Sequence, residues 1–224
     1  MQTERPTAKE VRGQLDRGME AQLRNFRHAL NEGMPRLGWK IGINDPRMLE
    51  RLGLAEPAIG WLAGDRAMRS GDRYVLRRGT RVFVEAEIAL HVGGGAVSLQ
   101  APALELVNFS LPANSLEGAL EHNIYHEAVV LGAEVPPVSL DGSSWPHLYR
   151  NGTEVSRREP KLLAMDPGAV LRHVSGLLAR YGEWLEAGDW IIAGSLIQPL
   201  SVRAGDKIEA DFGPLGKVAV EVAE

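Results

Sequence analysis

The sequence contains no cysteine. Disulfides, thiolate metal sites and a cysteine nucleophile are therefore excluded, and any bound metal must use oxygen or imidazole ligands. The absence also fits a reducing compartment, where disulfides are rare.

The sequence also lacks a basic excess and a long apolar run. Its formal net charge is -4 at pH 7, whereas domains that bind a nucleic-acid backbone usually carry a basic excess. No stretch approaches the ~18 apolar residues of a membrane span, and the first residues show no basic start followed by an apolar run. We therefore expect a cytoplasmic protein without nucleic-acid or membrane partners.

Short apolar runs separated by turn residues make up most of the chain. The 25 glycines and 13 prolines recur between these runs, which favours a strand-rich, turn-rich fold. A hydrophobic content of 44% suffices for one core at this length. Helical spacing of apolar residues predicts an amphipathic helix over residues 7–31. We expect an N-terminal helical segment over 1–35 and a single domain over 36–224.

Strict alternation of side chains over residues 81–92 predicts a central strand. One face is apolar, whereas the other carries Glu85 and Glu87, whose Cα atoms lie roughly 6.5 to 7 Å apart in an extended strand. Like charges this close repel unless a proton or a cation lies between them. The pattern alone leaves two interpretations open, a solvated outer face and a buried metal site.

Other polar side chains stand in apolar surroundings. Lys40 lies in a short apolar strand at residues 37–43, where it either points to solvent or projects into a pocket as a proton carrier. Glu105 interrupts another apolar run. His122 and His126 are four residues apart, so on a helix they would share a face and form a ligand pair. Ordinary surface histidines are the alternative.

Five short motifs occur in a fixed order along the chain. They are Lys-Ile-Gly at 40–42, Val-Glu-Ala-Glu-Ile-Ala at 84–89, Pro-Ala-Leu-Glu-Leu-Val at 102–107, Leu-Glu-Ala-Gly-Asp at 185–189 with Gly-Ser at 194–195, and Gly-Asp at 205–206 with Ala-Asp-Phe-Gly at 210–213. This order resembles the 2-keto-4-pentenoate hydratase and 4-oxalocrotonate decarboxylase group of the fumarylacetoacetate hydrolase superfamily.

The resemblance implies an α+β fold. We expect a β-rich roll or sandwich, similar to the C-terminal domain of fumarylacetoacetate hydrolase, with flanking helices and the N-terminal amphipathic helix. Members of the family are typically Mg²⁺ or Mn²⁺ enzymes that act on small 2-oxo or 2-hydroxydienoic acids. A homo-oligomer is also implied.

The resemblance also implies roles for individual residues. Glu85, Glu87 and Glu105 match the three metal carboxylates, an all-oxygen set that suits a hard cation. Lys40 matches the lysine implicated in proton transfer, and Asp65 resembles the acid that would assist the addition of water. Substrate contacts are expected at Gly194, Ser195 and Asn123.

The activity implied is hydration of a 2-hydroxy-2,4-dienoate, similar to 2-keto-4-pentenoate, to a 4-hydroxy-2-oxo acid. Decarboxylation or C–C hydrolysis of a related 2-oxo acid is the alternative, because it would use the same enolate stabilisation.

The sequence departs from the family pattern at two places. Glu105 follows Glu87 after a shorter spacing than expected, without the helical segment that normally separates the second and third ligands. His122 replaces an acid in a segment that retains Asn123. These departures motivate a further hypothesis, a catalytically altered partner subunit that binds oxo acids without turnover.

Overall fold

The computed structural model describes residues 7–112, 115–138, 145–159 and 166–224. These ranges form a mixed α+β fold in which strands predominate. The helices are α1 (Ala8–Asn31), α2 (Pro46–Leu52), α3 (Leu116–Glu121) and α4 (Pro167–Ala179). The strands are β1 (Arg36–Gly42), β2 (Ala58–Ala63), β3 (Ala67–Arg69), β4 (Arg73–Val75), β5 (Val82–Gly93), β6 (Ala96–Asn108), β7 (His126–Leu131), β8 (His147–Arg150), β9 (Thr153–Arg157), β10 (Trp190–Ile192), β11 (Leu200–Ser201), β12 (Lys207–Asp211) and β13 (Lys217–Ala223).

The strands form two sheets. The larger has eight strands in the order β2-β1-β10-β5-β6-β7-β3, with β11 paired to β5. The smaller has five strands in the order β4-β13-β12-β8-β9. A long antiparallel hairpin of β5 and β6 lies in the middle of the larger sheet. The central strand predicted at residues 81–92 is therefore confirmed.

The even-numbered side chains of β5 lie in two cores. Val84 and Ala86 are buried in a cluster shared with β12 and β13 of the smaller sheet. Leu90 joins a second cluster with α1, α4 and β1. Full burial of a large aliphatic side chain stabilises the fold by about 1.5–3 kcal/mol, so this face of β5 is fixed toward the cores. Because strand side chains alternate, Glu85 and Glu87 must lie on the other face.

The predicted N-terminal helix is confirmed as α1. Its first turn has a capping box, in which Glu10 N–H donates to Thr7 Oγ1 at 3.3 Å and Thr7 N–H donates to the Glu10 carboxylate at 2.7 Å. On its buried face, Phe26 packs against Trp39 of β1 with ring centroids 5.0 Å apart. Neither α1 nor any other helix in the described ranges has the length and apolar character that a membrane crossing needs.

A partly buried ion pair holds β10 beside β1. Arg36 donates two hydrogen bonds to the Asp189 carboxylate, at 2.7 and 2.8 Å, and the Trp39 indole N–H donates a third at 3.2 Å. Bidentate bonds of this kind are among the stronger polar contacts in proteins. After β10 the chain stays on β5, since the Ala193 N–H donates to the Ile88 carbonyl. The ion pair before β10 and the Ala193 bond after it hold this segment against β5. Residues 194–195 therefore lie close to the two acids of β5.

Candidate metal centre and active-site cavity

Three carboxylates meet on the β5–β6 hairpin. Glu85 pairs directly with Glu105 in the antiparallel register, and Glu87 lies on the same face two residues along β5. One oxygen from each of the three side chains lies within 4.8 Å of the others. The short spacing between Glu87 and Glu105 is explained, because β5 turns back into β6 at residues 94–95 and needs no intervening helix.

The cluster has carboxylate oxygens that nothing in the described residues satisfies. Glu87 and Glu105 are both 0% exposed, and within the described ranges Oε1 of Glu87 and Oε2 of Glu105 have no hydrogen-bond partner. Buried carboxyl oxygens without a partner are costly, most of all when the group is ionised. A divalent cation held by Glu85, Glu87 and Glu105 would satisfy them, and an all-oxygen donor set suits a hard ion. The residues therefore fit the metal that the sequence predicted.

Burial and mutual repulsion separate the ionisation of the three acids. Burial, together with the charge of Glu105, raises the pKa of Glu85 to about 7. Burial and the neighbouring acids also raise the pKa of Glu87 well above its ordinary value. Burial opposes ionisation of Glu105 too, but the Lys40 ammonium and the His126 hydrogen bond outweigh it and lower its pKa. Glu105 is thus the acid that ionises most readily, whereas Glu85 and Glu87 keep their protons to higher pH than an ordinary glutamate.

Lys40 lies inside the protein beside the cluster. It is 1% exposed, so the solvent-facing interpretation is wrong. Its Nζ donates to Glu105 Oε1 and, at 3.2 Å, to the Ile124 carbonyl. The lysine stem passes over Gly60, where an added Cβ would lie 3.1 Å from Lys40 Cγ. The absence of a side chain at Gly60 therefore gives Lys40 its path to Glu105.

A cavity of about 350 Å³ has Lys40 and Glu85 in its lining. Ser195 and Asn44 add polar groups to the wall. The rest of the wall is mostly apolar and includes Met48, Val107, Phe109, Ile124, Tyr125 and Ile197. Acids, a lysine and apolar walls in one cavity are the typical features of a small-molecule site.

The chain is similar to known proteins over most of its length. No family model matches the chain. A 2-keto-4-pentenoate hydratase 1 of Dechloromonas aromatica is 26% identical over 212 residues, which cover 87% of this chain and 81% of the relative. A 4-oxalocrotonate decarboxylase of Pseudomonas sp is 24% identical over 211 residues, covering 86% and 80%. The resemblance to this hydratase and decarboxylase group is confirmed. The prediction of an enzyme of the hydro-lyase kind is confirmed with it, since several of these relatives are hydratases.

Solved structures show the fold. A 4-oxalocrotonate decarboxylase from Pseudomonas putida G7, complexed with magnesium and adipate, matches with a TM-score of 0.82 at 20% identity, covering 93% of this chain and 86% of that one. A fumarylacetoacetate hydrolase family protein from yeast matches with a TM-score of 0.66 at 15% identity, covering 86% and 94%. The predicted β-rich fold of the fumarylacetoacetate hydrolase kind is therefore confirmed.

The Gly-Ser segment that marks the hydratase and decarboxylase group lies beside the acids. The Gly194 N–H donates to Glu87 Oε2 at 2.7 Å, so it holds a carboxylate and does not line the cavity. Gly194 has a φ of +95°, which favours glycine. Ser195 does line the cavity, with its Oγ donating to the Ile197 carbonyl at 2.8 Å.

The structure does not bring Asp65 to this cavity. The side chain is exposed in the turn Gly64–Arg66 that follows β2, and it lines a separate cavity of about 870 Å³ with Arg66 and Glu127. Asp65 follows the end of β2, and the turn there leaves its side chain exposed. Its predicted role in adding water gains no support from this position.

Asn123 binds the backbone of β2 and does not line the cavity that contains Lys40 and Glu85. Its amide exchanges two hydrogen bonds of 2.8 Å with the backbone of Trp61. These two bonds stabilise a left-handed turn, in which Asn123, Ile124 and Tyr125 have φ values of 52°, 47° and 62°. Such backbone strain costs about 1–3 kcal/mol per residue and persists where the surroundings enforce it. The turn aims the Ile124 carbonyl at Lys40 and puts Tyr125 in the cavity wall.

The predicted histidine pair on one helix is wrong. α3 ends at Glu121 and β7 begins at His126, so the left-handed turn separates His122 from His126. His126 has a different partner that the spacing did not reveal, because its Nδ1 lies 2.7 Å from Glu105 Oε1. Burial lowers the pKa of His126 despite this acid. Only the pairing of β7 with β6 brings the two residues together.

Cation binding at the cluster is expected to strengthen as the pH rises from 6 to 8. The pKa of Glu85 is raised to about 7 and that of Glu87 is also raised, so a cation must displace protons from these acids at the lower pH. For each proton that must be displaced, the dissociation constant falls about tenfold for each unit by which the pH rises toward the pKa of that acid. Calorimetric titration with Mn²⁺ in buffers of different ionisation enthalpy measures both the affinity and the protons released. Equal affinity at pH 6 and pH 8 without proton release would contradict this prediction.

Proposed function

We propose that this protein adds water to a monocarboxylic 2-hydroxy-2,4-dienoate, similar to 2-keto-4-pentenoate, and releases a 4-hydroxy-2-oxo acid. The observation that carries the proposal is the cluster of Glu85, Glu87 and Glu105, which adjoins a mostly apolar cavity lined by Glu85 and Lys40. The curated hydratase relatives support it. We further propose a homo-oligomer located in the cytoplasm.

We propose Mg²⁺ or Mn²⁺ as the cation. Small hard ions prefer carboxylate oxygens and leave room for further ligands. Structural neighbours are complexed with magnesium and with Mn²⁺. When bound by Glu85, Glu87 and Glu105, the ion would stabilise the negative charge of an enolate as a Lewis acid.

Lys40 would move the proton at the far carbon of the substrate. An ammonium has three N–H donors, and two are used by Glu105 and the Ile124 carbonyl. The third is left for the cavity, as far as the described residues show. Lys40 would give a proton to the far carbon of the dienol and recover one from its 2-hydroxyl group, which yields a 2-oxo-3-enoic acid. Water then adds across the remaining double bond, with OH on carbon 4 and hydrogen on carbon 3.

The cavity wall favours a substrate with one carboxylate. Lys40 is the one cationic side chain among the described residues that line it. Beyond Lys40 the wall presents Met48, Phe109 and Ile197, and Asp45 adds a negative charge. A second carboxylate would find no cationic partner besides Lys40 among the described lining residues, and a buried charge without an opposite charge is costly. This favours hydration of a monocarboxylic dienoate over decarboxylation of a dicarboxylic acid such as 4-oxalocrotonate.

The proposal is tested by supplying the protein with Mg²⁺ or Mn²⁺ and following the loss of dienoate absorbance. We expect a hydroxy-oxo acid as the product, and kcat/KM at least about 100-fold higher for a monocarboxylic dienoate than for its dicarboxylic analogue. Release of CO₂ as the main reaction would replace the proposal by the decarboxylase alternative. Binding of oxo acids without turnover of any dienoate would support the catalytically altered subunit instead.

A further inference from the structure

The Glu105 carboxylate is bonded unequally at its two oxygens. Oε1 accepts from both Lys40 Nζ and His126 Nδ1, whereas Oε2 has no partner among the described residues. Two donors on one oxygen fix the rotation of the carboxylate about its last bond. The unpartnered oxygen is the one left to ligate a cation.

The second ring nitrogen of His126 also has a hydrogen-bond partner. The Ala63 N–H of β2 lies 3.3 Å from His126 Nε2. A backbone N–H can only donate, so Nε2 must offer its lone pair. The neutral ring then carries its hydrogen on Nδ1 and donates it to Glu105. This second contact fixes both the tautomer and the ring orientation.

The backbone around His126 is shaped for this contact. The β6–β7 register shifts between Leu106 and Val107, and His126 pairs with Val107 at that irregularity. Bulges of this kind commonly re-aim a side chain next to an active site. The left-handed turn over Asn123–Tyr125 leads directly into β7. The His126 side chain ends up 1% exposed, against the carboxylate.

We propose that His126 is a positioning residue, which orients Glu105 so that Oε2 faces the cation. The inference rests on the proposed cation site and is independent of the substrate. Lys40 alone would hold Glu105 less well, because its flexible stem also serves the proposed proton transfer. The imidazole keeps one donor on Oε1 throughout that transfer. Groups that orient a metal ligand in this way typically change metal affinity by 10–100-fold when replaced.

The test compares His126→Leu with His126→Asn by calorimetric titration with Mn²⁺. Leucine removes the donor, and we expect the dissociation constant to rise about 10–100-fold. Asparagine can put an amide N–H where Nδ1 lies and leaves Lys40 and the three carboxylates unchanged. We therefore expect its affinity for Mn²⁺ to lie within about fivefold of the wild type. Thermal unfolding without metal shows whether each variant is folded. His126→Gln, whose amide lies one carbon too far, replaces the leucine variant if that one does not fold.

Wild-type affinity in His126→Leu would overturn the inference, and so would an equal loss in the leucine and asparagine variants. Failure of the proposed reaction looks different. In that case the wild-type protein binds Mn²⁺ with the His126 dependence described, but it does not turn over dienoates. A wild-type protein that does not bind Mn²⁺ would overturn both proposals.

Discussion

Glu87→Gln is expected to lower kcat/KM at least about 10³-fold, because Lewis-acid stabilisation of several kcal/mol depends on the cation. Glu87 lies at the buried end of the cluster, with Oε2 bonded to Gly194 and Oε1 unpartnered among the described residues. Glutamine retains the bond to Gly194, but its amide nitrogen cannot ligate a cation. We expect the dissociation constant for Mn²⁺ to rise more than about 100-fold. Steady-state kinetics and calorimetric titration measure the two effects.

The same substitution is expected to leave the fold intact. The pKa of Glu87 is raised in the folded state. The free energy of unfolding of the metal-free protein therefore falls as the pH rises and the buried Glu87 loses its proton. Glutamine is neutral at every pH, and the metal-free variant at pH 8 should be at least as stable as the wild type. Glu127→Gln is the matched control, since Glu127 is also buried but pairs with Arg77 and Arg66 outside the cluster. Equal loss of Mn²⁺ binding in both variants would argue against a specific site.

Lys40→Met is expected to lower kcat by about 10²- to 10⁴-fold, the usual contribution of a positioned acid or base. Methionine fills the stem position beside Gly60 without an ionisable group. Mn²⁺ binding at pH 8 should persist, because the three carboxylates are unchanged and the repulsion by the ammonium is removed. Loss of turnover with retained cation binding would separate the role of Lys40 from that of Glu87.

Lys40→Arg separates the effect of positive charge at this position from that of proton transfer. A guanidinium keeps the positive charge beside Glu105 but does not release its proton at accessible pH. We therefore expect arginine to restore little of the activity lost in Lys40→Met. Recovery to within about tenfold of the wild type would mean that charge alone is needed, and the proton-transfer role would be wrong.

Local periodicity was enough to predict the elements that carry the acids. Alternation over residues 82–92 marks β5 because a strand with one face in a core must alternate. Helical spacing over residues 7–31 marks α1 for the corresponding reason. The spacing of Glu105 from Glu87 suggested a departure from the family pattern. Only the hairpin register shows that Glu105 directly faces Glu85.

Contacts between distant segments could not be predicted from spacing. His126 reaches Glu105 because β7 pairs with β6 after a left-handed turn, which propensity disfavours at Ile124 and Tyr125. For Asp65, the direction of the side chain could not be predicted from its place in the sequence. Its position at the end of β2 matched the family pattern, yet the direction of the following turn takes the carboxylate away from the cavity.

The placement of all three carboxylates on one hairpin has a consequence for the order of folding. Hairpins close within about 1–10 μs, whereas contacts between distant segments form later because their loops cost more entropy to close. The site for the cation is therefore complete once β5 and β6 have paired, before Lys40 on β1 and His126 on β7 must arrive. A cation bound at that stage would link the two strands of the β5–β6 hairpin through Glu85, Glu87 and Glu105.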